Sequence, residues 1–185
     1  TVTTGPHSGL AGPPSPWHVD AQAPVAVFLH RLAAACITRQ TSVWRTPSDP
    51  PLERVEWLTA AVVDTVLQAE STRRGPIAPD LQPVRVVFLA GHFPRVETLM
   101  KLGVPPDRDA AYRLYARHCG VLAEAMLTGS PSPSRLHRIL ELQTHGRDPV
   151  AAAEFALGPE MKPGEALQDW YEREALRLSR RGRAP

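Results

Sequence analysis

The residue types that carry most protein chemistry are present in this chain but thinly spread. Cys119 directly follows His118, and His92 supplies a second imidazole in the same half of the sequence. A thiol beside an imidazole is the elementary nucleophile–base pair. Nothing in the pattern supplies an oxyanion donor or a third group to orient the imidazole, so Cys119 reads as a buried reduced thiol and His118 as a partly buried helix residue. A tetrahedral metal site needs three or four ligands at hairpin or helical spacing. The seven histidines are scattered, and neither CxxC nor HExxH occurs. Phosphate cradles need a Gly-rich turn opening a helix, but the sequence has no GxGxxG and no GxxxxGK[ST]. Glu53 with Glu56, and Glu172 with Glu174, read as helix-surface charges beside Arg54 and Arg173. The expectation is a protein that is not an enzyme, with no catalytic, cofactor-binding or metal-ligating residue.

The remaining candidates are contact residues. Arg173, Arg177, Arg180, Arg181 and Arg183 fall within eleven positions at the C-terminus. Guanidinium groups suit bidentate contact with carboxylate or phosphate, although cations at a helix end also favour the dipole. Trp17 is the one large side chain in a leader rich in Pro and Gly. Trp44, Trp57 and Trp170 are three further aromatic anchors of the kind found at interface hot spots.

These residues must be held by a scaffold that composition already constrains. The chain has 185 residues, 43% hydrophobic and 22% charged, with a formal charge of +2. Such a balance excludes nucleic-acid binding by bulk charge alone. The longest apolar stretch, Val25–Ile37, is broken by His30 and Arg31 and falls short of the ~20 residues that span a bilayer. Two cysteines fit reduced thiols in a reducing compartment better than a disulfide scaffold. Pro occurs 20 times, about twice its usual share of ~5%. Lys appears only at 101 and 162, and Asn is absent, as in a GC-rich coding bias. The first residue, Thr1, is expected to follow a processing cut.

Residues 1–24 contain five Pro and three Gly without hydrophobic period, and predict an extended arm. From Val25 the period becomes helical. Val25, Phe28, Leu29, Leu32, Cys36 and Ile37 form one predicted apolar face. A second helix over 51–72 sets Val55, Leu58, Val62, Val66 and Leu67 together, and Gly75-Pro76 ends it. Shorter helices are predicted over 84–90, 95–102, 109–119, 121–127, 134–144 and 149–157. The last, 164–179, carries the stripe Leu167, Trp170, Tyr171, Ala175 and Leu178. Leu99, Leu114, Leu122, Ile139, Leu142 and Phe155 are the predicted continuous core. No Asn-Gly or Asp-Gly hairpin signal occurs, so the fold class is all-α. Three parts are predicted: the arm 1–24, a helical domain 25–179 and a basic tail 180–185.

The helix breakers recur. Gly75-Pro-Ile-Ala-Pro-Asp80, Gly103-Val-Pro-Pro-Asp107, Gly129-Ser-Pro-Ser-Pro133 and Gly158-Pro-Glu-Met-Lys-Pro-Gly164 follow at spacings of 27 to 30 residues. A helix pair of that length cannot bury both helices alone, which predicts a short α-solenoid of stacked helical hairpins. At Phe93–Asp107 and Leu136–Gly164 the chain resembles the pentatricopeptide-repeat family, where a second helix runs into a Gly-x-x-Pro-Asp loop. The likeness covers about residues 51–164.

That resemblance implies one of two roles. In its RNA-binding members, small polar residues read the bases, whereas the corresponding helices here carry Arg85, Arg113 and Arg138 among Ala, Val and Leu. RNA is therefore an unlikely partner. In size, repeat type and Pro-rich leader the chain also resembles the helical-repeat subunit of euglenozoan mitochondrial ATP synthases. That resemblance implies a mitochondrial matrix location, a non-catalytic accessory role and the F1 α subunit as partner. An accessory subunit of a mitochondrial ribosome or respiratory complex is the alternative.

Overall fold

A computed structural model of the chain describes residues 25–50, 55–72, 82–106, 109–128 and 132–181. The predicted arm 1–24, with Trp17, and residues 182–185 of the predicted tail lie outside the described residues. So do Glu53, Arg54 and the loop Gly75–Asp80. The described residues are all-helical: α1 Val25–Ser42, α2 Glu56–Thr72, α3 Gln82–Leu89, α4 Val96–Lys101, α5 Asp109–Leu127, α6 Ser132–Thr144, α7 Pro149–Leu157, a 3₁₀ turn Gly158–Glu160, and α8 Leu167–Arg181. The apolar run at 84–90, which a strand could also have claimed, is helical. No described helix is long and apolar enough to cross a membrane.

Local chemistry sets the boundaries. Asp148 caps α7, its carboxylate accepting from the Val150 and Ala151 amides at 3.0 and 3.2 Å, with Pro149 in the first turn. α6 ends where Gly146 takes φ +84°, and the Arg147 amide donates back to the Leu142 carbonyl at 3.0 Å. Gly91, at φ +78°, closes α3 in the same way through His92 and Val87. A residue with a side chain is strained in that left-handed region, so glycine stands at both stops. α4 is only six residues long and borrows its cap from far along the chain. Gln168 of α8 accepts from the Val96 amide at 2.8 Å and donates to the Pro94 carbonyl at 3.3 Å.

α2 and α5 share the broadest helix interface. α1 lies on α2, α6 on α7, and α8 contacts α3, α4, α5 and α7. Both central helices are rich in Ala, and small side chains let their axes approach. Trp57, Val63, Tyr112, Leu122 and Met126 fill the space around them. Phe88, Phe93 and Tyr171 form an aromatic cluster, with the two Phe rings stacked at 5.1 Å.

The structure changes four expectations. Residues 109–119 and 121–127 are one helix: Gly120 continues it, because its missing side chain lets the α2 residue Asp64 come close. On α1 the buried residues are Ala26, Ala33 and Thr41, with Leu29 and Ile37 half-buried, while Val25, Phe28, Leu32 and Cys36 face outward. The most deeply buried positions of α1 are thus small side chains, with the larger Leu29 and Ile37 only partly covered. Leu114 and Phe155, predicted core, are both 54% exposed, whereas Leu99, Leu122 and Ile139 are buried as expected and Leu142 is half-buried. Finally, α2 is buried on nearly every side, so Trp57 joins the core along with the stripe that the sequence marks on α8.

Candidate functional site

Arg173 and Arg177 of α8 meet carboxylates of their own chain. Arg173 pairs with Glu165 and, at 3.4 Å, with Glu174. Arg177 donates to Glu174 at 2.6 Å and to the Thr128 hydroxyl at 2.7 Å, tying α8 to the end of α5. Arg180 is exposed, and the side chain of Arg181 lies outside the described residues. These pairs hold the Glu165 carboxyl below the usual range, the Lys162 amide having the largest effect. Among the tryptophans, Trp57 and Trp170 are fully buried, so neither is an interface anchor. Trp44 is half-buried with its ring 4.4 Å from that of His137.

Two polar clusters join elements that the sequence does not connect. His30 of α1 places Nε2 3.0 Å from a Glu56 carboxylate oxygen and Nδ1 3.0 Å from the Tyr112 hydroxyl. Three helices thus meet at one imidazole, and Glu56, expected on the surface, is half-buried. Burial pushes the Tyr112 hydroxyl far above its ordinary range, which keeps it a protonated donor. Deeper, Asp64 of α2 accepts from Arg117 of α5 at 3.1 Å and from Gln68. Both clusters pin α2 in place, and neither presents a nucleophile to an open surface. His118 lies against the Phe88 ring at 5.5 Å, and burial lowers its basicity. Cys119 is buried with its thiol pushed up by desolvation, whereas Cys36, expected to be buried, is exposed. Among the described residues, no three His, Cys, Asp or Glu side chains gather as a metal site.

Among the described residues, α1 leaves apolar side chains open to solvent. Val25, Phe28 and Leu32 are 58%, 40% and 41% exposed, and with Cys36 they run along one side of α1. The 3.6-residue period puts them on one stripe, rotated away from the Ala26–Ala33 stripe that meets the core. A separate cavity of about 430 Å³ opens between the start of α2, the end of α4 and the α6–α7 turn.

No family model, no curated protein and no solved structure matches this chain.

Proposed function

We propose that this chain is a non-catalytic interaction module, an accessory subunit that seats the outward face of α1 on a protein partner. The observation that supports this reading is the exposed stripe Val25, Phe28 and Leu32. Contiguous apolar surface on a helix whose opposite stripe is already packed marks a contact face. The two polar clusters support it from the other side, since their groups are engaged in holding helices together.

In its finer form the proposal places the module on the F1 α subunit of a euglenozoan-type mitochondrial ATP synthase, in the matrix. That form rests on the chain's size, its Pro-rich leader and its repeat type, the last carried by the likeness at Phe93–Asp107 and Leu136–Gly164. A pentatricopeptide-like solenoid asks each helix pair to pack on the next in chain order. The α1–α2 and α6–α7 contacts accord with that order. The broad α2–α5 interface and the return of α8 to α3 and α5 accord better with a closed bundle.

The test is purification of the native complex through the tagged full chain, with each subunit identified. Phe28→Glu combined with Leu32→Glu should keep helix content and release a partner that the unaltered chain retains. Retention of the partner by this variant would overturn the α1 interface. A complex lacking an F1 α subunit would overturn the finer assignment. Salt-dependent binding of single-stranded RNA by the chain alone would favour the RNA-binding alternative instead.

A further inference from the structure

We infer that the cavity between α2, α4 and the α6–α7 turn is a binding site for a small organic carboxylate, distinct from the α1 face. At about 430 Å³ it falls within the range of ligand pockets. Its wall combines apolar surface with N–H donors. Val55 and Met100 give the apolar part, and Trp57 and Gln143 stand beside them. Trp57 is fully buried and Gln143 is 9% exposed, yet the indole Nε1 and the amide Nε2 have no hydrogen-bond partner. Buried donors are nearly always paired, so two in one wall call for an acceptor that none of the described residues supplies.

Charge at the rim selects the acceptor. Lys101 is already met by Asp148 at 2.8 Å and by Glu97 at 3.1 Å, and Asp148 is further occupied as the cap of α7. Arg147 lies 4.8 Å over the Phe155 ring and meets no carboxylate among the described residues. A carboxylate therefore answers all three groups: its charge faces Arg147, and its oxygens accept from the Gln143 amide and the Trp57 indole. Both nitrogens are closed to solvent, so seating the ligand requires Gln143 to turn about its broad terminal torsion. The turn itself is kept tight by Gly146, where a Cβ would stand 2.7 Å from Pro50. Besides Lys101, Arg147 and Asp148, the wall carries Glu56, held by His30, which disfavours a ligand that crowds a second anion against it.

The experiment uses the ¹⁵N-labelled full chain titrated with 3-phenylpropionate, 3-phenylpropan-1-ol and 3-phenylpropylamine. The expected result is saturable movement of the Trp57 indole and Gln143 amide resonances with the carboxylate, at least tenfold tighter than with the alcohol or the amine. Gln143→Leu should weaken that binding at least fivefold. Arg147→Met, a change at the exposed rim that leaves the core intact, should do the same, while Arg180→Met on α8 should not. Equal binding of the alcohol, tighter binding of the amine, or motionless resonances at 10-fold millimolar excess would each overturn the inference.

Discussion

Replacing Gly120 with Ala tests the packing of the two central helices, because local and tertiary effects have opposite signs there. In an isolated helix the change stabilises by about 1 kcal/mol, since Ala is the better helix former. In this structure the new Cβ would lie 2.8 Å from a carboxylate oxygen of Asp64, inside the 3.4 Å at which ordinary contact begins. Asp64 cannot simply swing into water, for it is buried and bonded to Arg117 and Gln68. Overpacking of this kind costs about 1–3 kcal/mol. Losing one partner of a buried ion pair costs about 3–5 kcal/mol when the break is complete. With the carboxylate displaced but still attached, the overlap exceeds the propensity gain, and the net expectation is a loss of about 2 kcal/mol. For a chain of this size that is a fall of roughly 4–8 °C in Tm. Thermal and urea unfolding followed by far-ultraviolet circular dichroism measure it. Gly120→Ala in an Asp64→Ala background supplies the second half of a double-mutant cycle, where the propensity gain should reappear. A Gly120→Ala chain about 1 kcal/mol more stable than the original would refute the close α2–α5 approach.

Other consequences follow from particular residues. Ile139→Ala, at a fully buried position, should cost about 2–5 kcal/mol in urea unfolding, whereas Phe155→Ala, at an exposed one, should cost far less. Under native conditions Ellman's reagent should modify Cys36 readily and leave Cys119 untouched until denaturant is added, because one thiol is exposed and the other buried. The Asp49 carboxyl is pulled down to about 2 by its hydrogen bond to His145 and by the Thr46 amide. Its contribution to stability is therefore complete above the ordinary carboxyl range near pH 4 and is lost as the pH falls toward 2. Carboxyl ¹³C titration of the His145→Ala chain should show the Asp49 midpoint moving upward, and an unmoved midpoint would count against the pair.

How far the sequence reveals this fold depends on whether the governing interaction is local. α7 was legible because Gly146, Asp148 and Pro149 carry a stop, a cap and a start within four residues. The α8 stripe was legible because four large apolar residues and Ala175 repeat at the helical period against one core. The single α5 was not, since Gly120 reads as a breaker until Asp64 from another helix is known to lie against it. The outward turn of α1 was hidden for a related reason. Periodicity shows where large apolar residues cluster, but close helix approach selects Ala26 and Ala33 instead. Of the candidate contact residues, the α8 arginines were visible as a cluster, yet Glu165 and Thr128, which engage them, carry no signal of that role. The imidazole of His30 between Glu56 and Tyr112 was beyond reach, because its hydroxyl partner lies 82 residues away.

The polar groups around α2 also explain why α1 keeps an apolar face exposed. His30, Glu56 and Tyr112 fix the rotation of α1 against α2 and α5, because the imidazole can meet both partners only from one side of the helix. Turning α1 to bury Phe28 and Leu32 would pull His30 from the Glu56 carboxylate and leave the half-buried Glu56 without that donor. Burying an apolar side chain is worth about 1.5–3 kcal/mol. Stranding buried hydrogen-bonding groups costs about 1–3 kcal/mol each, more when one is charged. The two sides are close, so hydrophobicity alone does not decide the rotation. The burial of Ala26 and Ala33 in the core adds to the polar side and tips the balance. The outward stripe is thus a consequence of how α1 is locked, and it is the same lock that would hold Phe28 and Leu32 ready for a partner.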